Sequence, residues 1–335
     1  MGYFGLSLAC GYGGYIVRRT GVAAAVLAIA LGVLGPAVVH PTTASAAQII
    51  GVNDLTPYRT AITVSSPAMG RNVDLQVLHP AGGGSRGTYY LLDGLDPGIG
   101  QSTWTNATDA EAFFRDKNVN VVLPMGGQAS YYTDWIVDDP RFGRYKWETF
   151  LTQELPGLID GQFNGNGLNG IGGLSMGGNA AYILAARHPG LYRAVAGYSA
   201  CPDIAMAAGA MMFSIVNRGG NPVNMWGAPG SPDWASHDPA LMIDGLRGKA
   251  LYLSTGTGIP GPHEAELKPT LAENIFLGGP IELGVNTCMV AFDQRLRGAG
   301  IGARIDYHPV GTHSWSYWQD ALHASWPVIA PALGA

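Results

Sequence analysis

A serine set between two glycines, in Gly173-Leu174-Ser175-Met176-Gly177, is the first place in this chain where chemistry can be read from residue type and spacing. A short apolar run, Ile171 to Leu174, precedes it, and a stretch of small and helix-favouring residues, Asn179 to Arg187, follows. Strand, sharp turn and helix are the context in which G-x-S-x-G acts as a nucleophile elbow. Glycine alone is weak evidence in a chain with 49 of them, so the flanking strand and helix carry the reading. Ser175 would stand above the sheet edge, and the N–H of Met176 would face a substrate carbonyl oxygen from a helix N-terminus. The chemistry is acyl transfer through a serine ester.

Such a serine needs a histidine and an acid, both later in the chain. Of eight histidines, His40 and His79 come too early, and His188 ends the elbow helix, where it suits the helix dipole. His237 and His263 precede the last expected strand, His308 ends it, and His323 falls within a helix. His313, in the turn Gly311-Thr312-His313-Ser314-Trp315, has the right place. Residue spacing leaves the acid open among Glu264, Glu266, Glu273, Glu282 and Asp293. Glu282 stands in an apolar frame at a helix start, which suits a partly buried orienting carboxylate and equally an ordinary dipole partner.

The elements that must position these groups alternate. Strands are expected at Val73 to Leu78, Thr88 to Leu92, Val119 to Leu123, Ile171 to Leu174, Ala194 to Ser199, Ala250 to Ser254 and Ala303 to His308. Helices are expected at Thr108 to Arg115, Trp147 to Phe163 with a kink at Pro156, Asn179 to Arg187, Leu283 to Arg297 and Trp315 to Ala330. Alternation of this kind gives an α/β fold with a mostly parallel sheet and helices on both faces. An aromatic and glycine-rich loop runs from Met125 to Tyr145, and an insertion, helical from Ala205 to Val216, spans Cys201 to Gly248. Insertions so placed shape substrate clefts.

Several function classes are excluded. Net charge is −5 and no basic cluster extends beyond Arg18-Arg19, so nothing invites nucleic acid. Gly165 to Gly170 fits G-x-G-x-x-G literally, but it precedes a strand and is read as a loop, not a dinucleotide site. His263-Glu264-Ala265-Glu266 is not a zinc motif, and no metal or cofactor is implied. Residues 1–47 read as a signal peptide: Arg18-Arg19, an apolar run from Val22 to Val39, and Ala44-Ser45-Ala46-Ala47 before the cut. The apolar run contains Gly32, Gly35 and Pro36, which suits cleavage rather than a lasting membrane span. The expectation is a secreted or cell-envelope protein with one catalytic domain over 48–335. Oligomeric state is not encoded in any pattern here. Two cysteines, Cys201 and Cys288, then remain, to be read as a disulfide or as two buried thiols.

Beyond these elements the chain resembles the secreted mycolyltransferases of the antigen 85 type. The likeness rests on Ser66-Pro67-Ala68-Met69-Gly70-Arg71, Leu91-Leu92-Asp93-Gly94-Leu95, Met125-Gly126-Gly127-Gln128 and Tyr132-Thr133-Asp134-Trp135. It continues in Tyr145-Lys146-Trp147-Glu148-Thr149-Phe150-Leu151, in the elbow, and in Gly311-Thr312-His313-Ser314-Trp315. The resemblance implies the α/β-hydrolase fold, with Ser175 as nucleophile, His313 as base and Glu282 as acid. It puts the oxyanion hole on the N–H groups of Leu95 and Met176, and sugar contacts on Asp93, Ser314 and Trp315. In that fold Cys201, just past a strand, and Cys288, two turns into the helix after Glu282, flank one cleft, so a disulfide is expected. The implied activity moves mycolyl groups from trehalose monomycolate to a second trehalose monomycolate or to cell-wall arabinogalactan, with diacylglycerol acylation or ester hydrolysis as side activities. A plain secreted carboxylesterase and a carbohydrate- or matrix-binding protein are the alternatives. Where the family usually has an arginine after Asp-Gly-Leu, this chain has Asp96-Pro97. Asp96 is therefore expected to turn away from the acceptor, or Arg71 or Arg141 to fill the gap.

Overall fold

A computed structural model describes residues 46–265 and 269–335. The leader, including Arg18-Arg19 and the apolar run after it, lies outside the described residues, as does Glu266 among the acid candidates.

Nine strands form one sheet: β1 (Gln48–Thr56), β2 (Arg59–Ser66), β3 (Arg71–Leu78), β4 (Arg86–Leu92), β5 (Val119–Pro124), β6 (Gly165–Leu174), β7 (Tyr192–Tyr198), β8 (Ala250–Thr255) and β9 (Arg304–Tyr307). Their order is β1-β2-β3-β5-β4-β6-β7-β8-β9. β1, β2 and β3 pair antiparallel, as does β3 with β5, and from β5 through β9 every pairing is parallel. The hairpin β1–β2 was not anticipated, since its polar and threonine-rich alternation leaves one face in water. β1 pairs with β2 through two irregularities, between Ile49 and Gly51 and between Asp54 and Thr56.

The parallel strands are covered on both faces, and their side chains divide by alternation. Tyr90 and Leu92 of β4 face one core, with Ile171, Val195 and Leu253. Tyr89 and Leu91 face the other, with Val121, Ala196 and Tyr252. Full burial of each such large side chain is worth about 1.5–3 kcal/mol. The first core is closed by α4 (Met176–Arg187) and α6 (Gly279–Gly298), the second by α1 (Thr103–Ala107), α2 (Ala110–Phe114) and α7 (Trp315–Leu333). α2 is shorter than the helix expected over Thr108 to Arg115, because Thr108 is extended.

Three expectations need correction. Gly165 to Gly170 is not a loop; it opens β6, with Gly165 paired to β4 and Asn169 and Gly170 paired to both β4 and β7. The helix expected to begin at Leu283 begins at Gly279, so Glu282 lies inside its first turn. The C-terminal helix continues to Leu333 despite Pro327 and Pro331. The bend expected at Pro156 is a π-helical turn, Phe150–Glu154, running into α3 (Leu155–Phe163) with the proline in its first turn, where its missing N–H costs little. The insertion carries α5 (Ile204–Val216) and three short turns, Val223–Trp226, Pro232–Ala235 and Ile243–Leu246.

Candidate active site

The carboxyl ends of β4, β6, β7 and β8 converge on one cleft, the place where open α/β sheets hold their ligands. Ser175 follows β6 directly, with φ 50° and ψ −117°. A non-glycine residue held there is strained, and the turn survives because its surroundings fix it. Its N–H donates to Tyr198 O at 2.8 Å, and its carbonyl accepts from Asn179 N. A Cβ at Gly173 would sit 2.6 Å from the Gly177 carbonyl carbon, and one at Gly177 would sit 2.4 Å from Asp93 O. Both glycines are thus demanded by close approach, and Gly177 lets the loop after β4 lie on the start of α4.

His313 sits in the loop between β9 and α7, and its Nδ1 lies 2.7 Å from Glu282 Oε2. An ionised carboxylate only accepts, so Nδ1 carries the proton and Nε2 keeps its lone pair free. Glu282 is 1% exposed. Its Oε1 accepts from Ser199 Oγ at 2.8 Å, Thr255 Oγ1 at 3.0 Å and Gly256 N at 2.8 Å. Trp318 Nε1 in turn donates to Ser199 Oγ at 2.9 Å, and the Trp318 ring meets His313 edge-on at 4.9 Å. Three donors on one oxygen and the imidazole on the other satisfy a buried charge that would otherwise be costly.

The other acid candidates have other partners. Glu264 accepts from Thr312 Oγ1 at 2.6 Å and Gly261 N at 2.8 Å, bracing the histidine loop from outside. Asp293 pairs with Arg297 at 2.8 Å. Glu273 lines the cleft without an imidazole partner among the described residues.

Leu95 and Met176 flank the serine from two elements. Met176 opens α4, where an N–H has no intrahelical acceptor. The Leu95 N–H makes no hydrogen bond among the described residues, while its carbonyl accepts from Ala129 N at 2.9 Å. The Met125 to Tyr145 loop holds both. Tyr132 OH accepts from Asp93 N at 3.1 Å, and Met176 Sδ accepts from Tyr131 N at 3.3 Å. Ala129, Tyr131 and Tyr132 all have positive φ, between 47° and 53°, a strained run fixed by burial. This buttressing role had no signal in the sequence beyond the aromatic content of the loop.

The cleft has a volume of about 550 Å³ and gathers Ser175, His313, Asp93, Leu95, Ser314 and Trp315. Leu277 and Ile281 line an apolar side, whereas Asp93, Thr103, Asp96 and Arg218 are polar. Asp93 is 3% exposed and accepts from Gly94 N at 2.8 Å. Burial pushes its carboxyl up to about 6, against hydrogen bonds from Thr103 and Gly94 that favour the charge. A carboxyl raised in the folded state stabilises the fold below its unfolded value and loses that contribution as pH rises through about 6. The stability of wild type relative to Asp93→Asn is therefore expected to fall by about 2.4 kcal/mol between pH 4 and pH 7. Urea midpoints across that range test this, and a flat difference would show Asp93 titrating normally.

Asp96 does not turn away; it lines the cleft. Arg218, just past α5, forms a two-pronged pair with it, Nε to Oδ1 at 2.8 Å and Nη2 to Oδ2. Gln128 Nε2 adds a third bond to Oδ1 at 2.7 Å. The guanidinium holds the Asp96 carboxyl below the usual carboxylate range. Arg218 lines the cleft, so the insertion delivers a cation to its polar side. Sequence spacing gave no hint of a partner 122 residues away.

Cys201 and Cys288 are disulfide-bonded, with Cα atoms 5.4 Å apart. The bond ties the segment after β7 to α6. Among the described residues no group of three His, Cys, Asp or Glu could hold a metal ion.

Sheet order, strained serine, imidazole and buried carboxylate define a serine hydrolase of the α/β-hydrolase fold. Residues 66–328 match the family described as "Putative esterase". The diacylglycerol acyltransferase/mycolyltransferase Ag85B of Mycobacterium intracellulare is 33% identical over 290 residues, spanning 82% of this chain and 83% of that protein. Its Ag85A counterpart from Mycobacterium ulcerans is 34% identical over 286 residues, spanning 82% and 81%. The crystal structure of Mycobacterium tuberculosis MPT51 superposes with a TM-score of 0.68 at 27% identity, covering 81% of this chain and 97% of that one. The chain belongs to this esterase family, among its antigen 85-type acyltransferases.

Proposed function

We propose that the chain is a secreted mycolyltransferase that takes an acyl group from trehalose monomycolate onto Ser175 and passes it to a sugar hydroxyl. The observation that carries this is a cleft that gathers Ser175 and His313 with apolar Leu277 and Ile281 and polar Asp93, Asp96 and Arg218. Such a site suits an ester of a long-chain acid with a polyol. The Ser175 hydroxyl oxygen attacks the ester carbonyl, and His313 Nε2 takes its proton and returns it to the departing trehalose. Glu282 holds the imidazole in the required tautomer. The N–H groups of Leu95 and Met176 face the oxyanion, each worth about 3 kcal/mol. A trehalose monomycolate or an arabinan hydroxyl then accepts the acyl group. Export through the leader at residues 1–47 would bring the enzyme to those substrates.

Purified protein incubated with trehalose monomycolate should yield trehalose dimycolate in excess of free mycolate. Free acid alone would make the protein an esterase, and neither product would leave a binding role. Arg218 is expected to hold the acceptor, since its pairing with Asp96 leaves guanidinium N–H groups to spare. Arg218→Ala should lower the ratio of dimycolate to free mycolate about tenfold, the worth of one charge-assisted hydrogen bond. An unchanged ratio would reduce Arg218 to a surface ion-pair partner.

A further inference from the structure

The Leu95 N–H can stabilise an oxyanion only while it points where that charge develops, so whatever holds residues 95–97 sets the geometry of the reaction. The backbone there supplies little. The Leu95 N–H must stay free for the substrate, Pro97 has no N–H, and the Asp96 N–H has no partner among the described residues. One main-chain bond remains, from Ala129 N to Leu95 O at 2.9 Å. The other three hydrogen bonds of the segment all end on the Asp96 carboxylate, two from Arg218 and one from Gln128.

Arg218 is anchored in turn. Its Nη1 donates to Ser214 O at 3.1 Å, on the last turn of α5. Ser214 Oγ lies 2.8 Å from Tyr131 OH, and Tyr131 N donates to Met176 Sδ at 3.3 Å. These bonds run from the neighbour of Leu95, through the insertion, to Met176, which carries the other oxyanion donor. Ser214 and Tyr131 are 7% and 4% exposed, so the inner half of the circuit is dry. The Asp96 carboxylate is more than half exposed, so its ion pair adds little to stability. Its effect is on position, where a small displacement of a group costs rate without unfolding anything. We propose that Asp96 and Arg218 are positioning residues of the oxyanion hole, and that the insertion, through α5, sets the spacing of the Leu95 and Met176 donors. Neither side chain touches the reacting atoms. The inference rests on the acyl-enzyme step of the reading above, not on the identity of the acceptor.

The test is hydrolysis of p-nitrophenyl butyrate, which offers no sugar for Arg218 to hold, by wild type, Asp96→Ala, Arg218→Ala and the double variant. Each single change should lower kcat about tenfold with KM within about twofold, a part of the roughly hundredfold that loss of a whole donor costs. The double variant should fall no further than the singles, because the two side chains act as one unit. Melting temperatures should stay within about two degrees of wild type. An alkyl trifluoromethyl ketone adds to Ser175 as a hemiketal anion between the two donors. Its affinity should weaken by the same factor as kcat/KM. Tyr131→Phe, which opens the circuit at its buried end, should move both readouts in the same direction. Unchanged kcat in Asp96→Ala, a double variant whose loss is the product of the singles, or a lower kcat with unchanged ketone affinity would overturn the proposal. Wild type separates the two readings. No acyl-enzyme by mass spectrometry overturns acyl transfer and the positioning role with it. An acyl-enzyme that forms no dimycolate from trehalose monomycolate removes the acceptor assignment and leaves the positioning role standing.

Discussion

Ser175→Ala is expected to cut acyl transfer about a millionfold, leaving only what the oxyanion donors and binding contribute. The group acts as a unit, so His313→Ala should cost about as much and the double variant little more. Glu282→Gln should cost less, about ten-thousandfold, because serine and imidazole persist while the amide no longer enforces the tautomer. The amide would also face the three donors that now converge on Oε1, from Ser199, Thr255 and Gly256. Steady-state rates with trehalose monomycolate, together with the mass of the acyl-enzyme, check the series. Glu282→Gln with full activity, beside a deep loss in Glu273→Gln, would move the acid.

Replacing Cys201 and Cys288 by serine is expected to remove about 4.5 kcal/mol of unfolding free energy. That is the loop-closure entropy of an 87-residue separation in the chain-entropy model. Arg295 and Asp203, paired at 3.1 Å, join the same two segments, but the arginine is half exposed and offsets little. Glu282 stands in the first turn of the bridged helix, so the loss should register in catalysis at lower temperature than in the global transition. Urea unfolding of oxidised wild type against the double serine variant measures it. A difference below about 1 kcal/mol would mean that the bond merely reports proximity.

The elbow was legible because it combines a short-range pattern with two flanking elements, all within twenty residues. His313 was legible by its place after the last strand. Glu282 was not separable from its rivals by spacing, since a carboxylate at a helix start has an ordinary use there. What marks it out is the convergence of Ser199, Thr255 and Gly256 from two strand ends, a long-range fact. The Asp96–Arg218 pair was hidden for the same reason. The glycine-rich start of β6 reads as a loop because glycine disfavours strands, and only Asn169 and Gly170 there have strand partners on both sides. The N-terminal hairpin escaped because most of its side chains are polar or small.

That hairpin has a bearing on solubility. β1 is the sheet's last strand on one side, and Ile50, Val52 and Leu55 stand 55%, 52% and 42% exposed along it. A straight strand in that position offers its free amides and carbonyls to any passing chain, and three aliphatic side chains would help a visitor stay. The irregularities after Ile49 and Asp54 break the straightness at both ends, so a second molecule meets no ladder longer than a few residues. Smoothing those two bends would turn the rim of the sheet into a seed for fibrous growth.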